Sequence, residues 1–247
     1  MVRRDQTPPG NRENVRAVNL AKTVRAWRAS PAWRMGVSVG LATGLYGPSF
    51  GALAVMSGLS VWQACVLSLF MFTGGSQFAF VGVLGGGGTG LAAWSAASLL
   101  GVRNGIYGVQ MKALLQPPSA LIPLMAHGTI DESMGTASAQ TAPDEQRRGF
   151  VTAAIAVYTL WNVGTLLGAL LGQAIGDPRA IGLDGAATAA FIGLLWPRLK
   201  GRDPIALAAV AAVVTAVAVP FVPPGVPILI AAAVTVGVAL WQQRREA

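Results

Sequence analysis

Thr73-Gly74-Gly75-Ser76-Gln77-Phe78 lies inside residues 35–102, a stretch without a single Asp, Glu, Lys or Arg. A helix crossing a bilayer needs about 20 predominantly apolar residues, so this stretch has room for several crossings. Gly, Pro, Ser and Gln repeatedly interrupt its apolar residues, and the helices it forms are therefore broken at membrane depth. Irregular backbone inside hydrocarbon is tolerated only where protein or a water-filled cavity covers it. The breaks point at a site.

The whole composition agrees. The chain has 247 residues, 53% hydrophobic and 11% charged, with mean hydropathy +0.55, against roughly 25% charged in soluble domains. The expected fold is all-α: a polytopic membrane protein with six to eight transmembrane or half-membrane helices, several of them discontinuous. Residues 35–243 form the membrane domain, with a cytoplasmic loop at 117–148, and residues 1–34 form a basic tail.

A net charge of +8 suggests nucleic acid in a soluble protein, but the distribution argues against that partner. Eight basic residues precede the first apolar run (Arg3, Arg4, Arg12, Arg16, Lys22, Arg25, Arg28, Arg34), against Asp5 and Glu13. Short basic flanks stay cytoplasmic and are drawn to anionic lipid. Ala17, Leu20, Val24 and Trp27 fall at helical spacing, which suits an amphipathic segment on the bilayer surface. The lone Cys65 supports neither a disulfide framework nor a metal cluster.

The first apolar segment, 35–58, is cut at Gly47-Pro48-Ser49, because proline removes a helix hydrogen bond and clashes with the preceding turn. The second, 61–84, carries Gly74-Gly75-Ser76-Gln77 at its midpoint, and a third meets Arg103 and Asn104 partway along. Further apolar segments follow at 149–175, 180–197, 204–220 and 225–242, the last two turned into a hairpin by Pro220 to Pro224. Seven crossings would leave Arg198, Lys200, Arg202, Arg244 and Arg245 outside, against the positive-inside rule. Even parity with both termini cytoplasmic removes the conflict, and it requires a segment within 35–116 that is re-entrant or split into two short crossings.

Gly74, Gly75, Ser76, Gln77 and Phe78, with Gly47 and Ser49 in the neighbouring break, are the candidate substrate-binding residues. Adjacent glycines weaken a helix by about 1 kcal/mol each and let backbone groups face a cavity. Discontinuous helices aim N-terminal ends at anionic groups and freed carbonyls at cations. The alternative is that Gly-Gly-Ser is a close packing contact. Arg103 at membrane depth is a functional candidate, or it lies near the cytoplasmic end and snorkels. Asp184 exchanges a proton or pairs with Arg103 when buried, and is a helix cap when interfacial. Asp131-Glu132 reads locally as a solvated loop pair. Gly164, Gly168 and Gly172 recur every fourth residue, which lets two helices approach closely.

Catalysis is poorly supported: the single histidine, His127, lies in the loop region, away from any obvious nucleophile. An intramembrane hydrolase using Ser76 would need a base within reach. No metal-ligand cluster and no nucleotide loop occurs, so no cofactor is expected.

Taken together the motifs resemble the AzlC family of branched-chain amino acid permeases, the large subunit of LIV-E exporters. Thr73-Gly74-Gly75-Ser76-Gln77-Phe78 resembles its aGaSQF signature, and Val102-Arg103-Asn104-Gly105-Ile106-Tyr107-Gly108 is similar to its (L/V)RxxxYG stretch. Ile130-Asp131-Glu132 is similar to its TDE motif, with Ile130 in place of Thr, and Gly182-Leu183-Asp184 resembles the start of GLDFA. The resemblance implies a prokaryotic cytoplasmic-membrane permease that moves branched-chain amino acids, usually outward, with a small AzlD-like membrane protein as obligate partner. It also implies coupling or gating roles for Arg103, Asp131, Glu132 and Asp184. A non-transporting scaffold or sensor subunit is the alternative reading of the same helices.

Overall fold

In a computed structural model of the protein, residues 27–175, 199–223 and 225–246 are described, together with 192, 195 and 196. No strand occurs among them, and the protein is an all-α membrane protein, as the apolar patterning predicts. Its helices are α1 (Pro31–Gly44), α2 (Gly47–Met56), α3 (Val61–Phe70), α4 (Gly75–Gly85), α5 (Gly90–Leu115), α6 (Ile122–His127), α7 (Asp131–Ser138), α8 (Pro143–Ile175), α9 (Arg202–Ala218) and α10 (Val226–Glu246).

Two helical stretches among the described residues are long and apolar enough to cross a membrane by length and composition. One is residues 31–56, α1 and α2 taken through the turn at Leu45 and Tyr46. The other is α8, whose 33 residues span about 50 Å at 1.5 Å per residue.

These two pack side by side along a glycine stripe. Gly36 faces Thr152 and Ala153, Gly40 faces Ala156, Gly44 faces Leu160, Gly51 faces the Thr165 carbonyl, and Gly168 faces the Pro48 carbonyl. Both series of numbers rise together, so the two helices run parallel. A Cβ at Gly40 would lie 2.5 Å from Ala156 Cβ, and one at Gly44 2.6 Å from Leu160 Cβ. In lipid, apolar side chains gain little by meeting each other, and close approach of small residues supplies the packing instead. The Gly164-Gly168-Gly172 stripe is therefore the inner half of a helix contact within the chain. Gly47 belongs to the same seam, since a Cβ there would lie 2.9 Å from the Trp161 carbonyl oxygen.

The end of the bundle where α1 and α8 begin is here called the near end, and the opposite end the far end. At the near end Glu145 accepts hydrogen bonds from Ser30 Oγ and from Ala32 N–H and pairs with Arg148 at 2.6 Å. Trp27 Nε1 donates to Thr152 Oγ1 at 3.1 Å beside it.

The second apolar segment is a hairpin. α3 starts at the far end under a Ser60–Gln63 capping box, and α4 returns there, because a Cβ on Gly85 would lie 2.7 Å from Ser57 Oγ. α3 and α4 thus leave and return at the same end of the bundle. The unwound part lies earlier than the glycine-rich motif suggests: it runs over residues 71–74, with Gly74 at φ 59°, while Gly75, Ser76 and Gln77 already belong to α4. α5 then runs back to the near end, where the Leu115 carbonyl accepts from Arg147 at 3.2 and 3.3 Å.

Residues 117–142 also fold back into the bundle. Leu115 and Arg147 mark the near-end base of this second hairpin, while its tip carries Ile130 into the hydrophobic core with Phe50, Phe78 and Trp161. The acidic pair that reads as a solvated loop feature is thus corrected: Asp131 and Glu132 open α7 at the centre of the bundle. Local composition misleads here because the segment is short and polar, while its burial comes from helices distant in sequence, including α1, α5 and α8.

α9 and α10 form the proline-turned hairpin expected from Pro220 to Pro224. Its turn lies at the far end, with Gly225 against Val83 and Ala92. Pro31 and Glu246 consequently sit at the same end.

Candidate functional site

The tips of the two opposed hairpins meet around a cavity of about 120 Å³. Phe72, Thr73, Gly74, Gly75 and Phe78 come from the first hairpin, Ile130, Asp131 and Glu132 from the second, Thr43 and Tyr46 from the α1–α2 turn, Arg103 from α5, and Val157 and Trp161 from α8.

Arg103 ties the two tips together. Its Nη2 lies 2.8 Å from Asp131 Oδ2 and also donates to the Thr73 carbonyl at 3.4 Å, a group released by the unwinding at 71–74. Gly75 makes room for this arm, since a Cβ there would come within 3.0 Å of Arg103 Nη2. Tyr107, one helical turn after Arg103, donates to Asp131 Oδ1 at 3.0 Å. Asn104 Nδ2 donates to the Thr129 carbonyl at 3.1 Å. Arg103, Asn104 and Tyr107 share a face of α5 because residues i, i+1 and i+4 do, and together they clamp residues 129–131. Glu132 accepts from Thr43 Oγ1 at 3.4 Å.

The site combines a set of donors with a pair of acids. Arg103 Nε, Trp161 Nε1 and Thr73 Oγ1 are buried and have no hydrogen-bond partner among the described residues. α4 begins at Gly75 with no side-chain cap, so its first N–H groups and the positive end of its dipole face the same region. The carboxylates of Asp131 and Glu132 line the same cavity, Asp131 in contact with Arg103. Buried polar atoms normally find partners, so a cluster of unpartnered ones beside a cavity marks a place shaped for a polar ligand. The rest of the lining is apolar at Phe72, Phe78, Ile130 and Val157 and carries hydroxyls at Thr43 and Tyr46. Beneath it Phe50, Phe78 and Trp161 pack as a rigid triad with centroid distances of 5.7 to 6.1 Å.

Of the sequence candidates, Gly74, Gly75, Phe78, Arg103, Asp131 and Glu132 line the cavity. Ser76 and Gln77 are fully buried just behind it, and Gln77 Nε2 donates to the Leu67 carbonyl, closing the first hairpin. Gly47 and Ser49 are not in the lining; the α1–α2 break serves the α8 seam and brings in Thr43 and Tyr46 instead. Asp184 lies outside the described residues. Thr43, Tyr46, Phe72 and Val157 are lining residues that sequence reasoning did not single out. Thr43 and Tyr46 flank the Gly44 break, a usable signal, whereas nothing local distinguishes Val157.

The family described as "AzlC protein" matches residues 38–175, a span that contains both hairpins and every described lining residue. The chain belongs to the AzlC family. AzlC relatives include a protein from Archaeoglobus fulgidus named "Uncharacterized membrane protein", 32% identical over 62% of this chain and 68% of its own length. A Helicobacter pylori protein of the same name is 26% identical over 66% of this chain and 72% of its own. No solved structure matches. The matched span contains the stretches that carried the resemblance: residues 73–78 supply the first tip, 102–108 the clamp and 130–132 the second tip.

Proposed function

We propose that this protein is the large subunit of a permease that moves branched-chain amino acids out of the cell. The observation that carries the reading is that one small cavity is lined by two chemistries, the cation Arg103 with the uncapped start of α4 and the acids Asp131 and Glu132, with Arg103 paired to Asp131. An α-amino acid carries a carboxylate and an ammonium on one carbon. The carboxylate fits the α4 N–H groups and Arg103, as anions do at helix N-termini. The ammonium fits Glu132, and an aliphatic side chain fits Phe78, Ile130 and Val157. Apolar walls discriminate by about 1–3 kcal/mol per methylene, so leucine, isoleucine and valine should compete. A proton, if it drives transport, falls to Glu132, Asp131 or Asp184.

The membrane topology follows the charges. Lys112, Arg147 and Arg148 lie at the near end with the basic flank of α1, whereas the far-end turns at 57–60 and 86–89 carry no charge. The near end is therefore cytoplasmic by the positive-inside rule, with both termini there, an even number of crossings and the two hairpins re-entrant from opposite faces. The membrane is the prokaryotic cytoplasmic one, and the partner is a small AzlD-like membrane protein, both on the strength of the family.

The test is transport by the purified protein in lipid vesicles, with and without the small partner. Leucine and valine should exchange across vesicles holding both. Vesicles holding both that move no branched-chain amino acid in either direction, under a proton gradient or without one, would refute the reading.

A further inference from the structure

A second cavity lies between α6 and α8, on the near-end side of the central site. It is an apolar groove of about 510 Å³, more than four times the central cavity's 120 Å³. Leu124, Val151 and Ile155 line it and are 70%, 38% and 63% exposed. Val151 and Ile155 continue along α8 into exposed Val163, Leu167 and Leu170. These positions follow helical spacing, so the groove opens on the apolar outer stripe of α8. In a membrane protein that stripe meets lipid tails, not water.

The charge lining is one-sided. The groove residues include no Asp or Glu, and the cation among them is Arg147. Arg147 spends one Nε and one Nη2 hydrogen on the Leu115 carbonyl, which leaves three of the five guanidinium donors for another acceptor. An amino acid would find no carboxylate here for its ammonium. A molecule with a long apolar part and an anionic head has a place for both. At its inner end the groove reaches Phe72, which stacks edge-on against Tyr158 at 5.0 Å and lies 6.0 Å from the His127 ring. Phe72 also lines the central cavity, so it is the shared wall between the two.

We propose that this groove binds one acyl chain of a bilayer phospholipid, with the lipid phosphate on Arg147 and the chain directed toward Phe72. Bound lipid then braces the Phe72–His127–Tyr158 wall from behind and fixes one side of the central cavity. The inference does not rest on transport, and its test reads binding alone.

The purified full-length protein in detergent is titrated with phosphatidylglycerol, with diacylglycerol of the same chains, and with glycerophosphoglycerol, followed by native mass spectrometry and thermal unfolding. Phosphatidylglycerol should raise the unfolding midpoint by several degrees, diacylglycerol should bind about tenfold more weakly, the loss of one charge-assisted contact, and the chainless headgroup should do nothing. Arg147→Gln should bring phosphatidylglycerol down to the diacylglycerol level, and Arg147→Lys should restore much of the difference. Leu124→Trp fills the groove from an exposed position that leaves the core intact, and it should weaken both chain-bearing lipids. The proposal is overturned if Arg147→Gln leaves the ratio of the two lipids unchanged, or if Leu124→Trp binds phosphatidylglycerol as the wild type does. It is equally overturned if no form responds to lipid, as when a partner's helix is the groove's natural occupant.

Discussion

Arg103 Nη2 stands 2.8 Å from Asp131 Oδ2, and this pair joins two hairpins that enter the bundle from opposite ends. Arg103 also holds the Thr73 carbonyl, so one guanidinium touches both tips. Any movement that parts the hairpins must break this contact, and any carboxylate entering the cavity competes for it.

Single substitutions Arg103→Gln and Asp131→Asn should each abolish most transport. With 30% and 21% of the two side chains exposed, each should cost about 1–2 kcal/mol of stability, less than the loss of one partner from a fully buried pair. The double variant should be less destabilised than the sum of the two, because neither charge is then left alone. A double-mutant cycle on thermal unfolding reads the coupling, and strict additivity would show that the pair does not interact energetically.

Gly75→Ala should impair transport more than folding. The new methyl meets the flexible end of Arg103 at 3.0 Å, which must give slightly and so loosens its hold on Thr73 and Asp131. Gly74→Ala should do the reverse. No atom of the described residues lies within 4 Å of a Cβ there, but φ is 59°, a conformation that costs a residue with a side chain on the order of 1 kcal/mol or more. Comparing initial transport rates with membrane abundance for the two variants separates these effects.

Gly51→Leu and Gly168→Leu should prevent folding, because in each the first added carbon runs into backbone carbonyl oxygen of the facing helix, Thr165 or Pro48, and backbone cannot retreat. Overpacking of this kind costs about 1–3 kcal/mol or more. Gly105→Ala is the control, with open space around its Cβ. Normal abundance of Gly168→Leu would contradict the α2–α8 seam.

Tyr107→Phe removes one hydrogen bond to Asp131 and leaves the Arg103 pair in place. Stability should fall by about 1 kcal/mol, and transport by several-fold with the apparent substrate affinity changed more than the maximal rate. An unaltered affinity would show that the tyrosine does not position the acid.

The fate of particular residues shows how far the sequence carries. Gly74-Gly75 announced a break, and the break is there, displaced by a few residues, because helix-weakening glycines act locally. Arg103 had two readings, central or snorkelling, and no local pattern separates them; its depth is set by Asp131, 28 positions later in the chain. Gly47-Pro48-Ser49 carried the same break signal as Gly74-Gly75, yet it faces α8 and not the cavity.

By itself the sequence determined the solvent of this protein, the sites where helices stop, and which ends carry positive charge, because hydropathy, glycine, proline and charge act within a few residues. The tertiary structure alone decided that a short polar segment returns to the centre, that its acids meet an arginine beneath an unwound turn, and that Trp161 and Phe72 wall the same small space. Those relations depend on contacts between residues dozens of positions apart, which no local periodicity encodes.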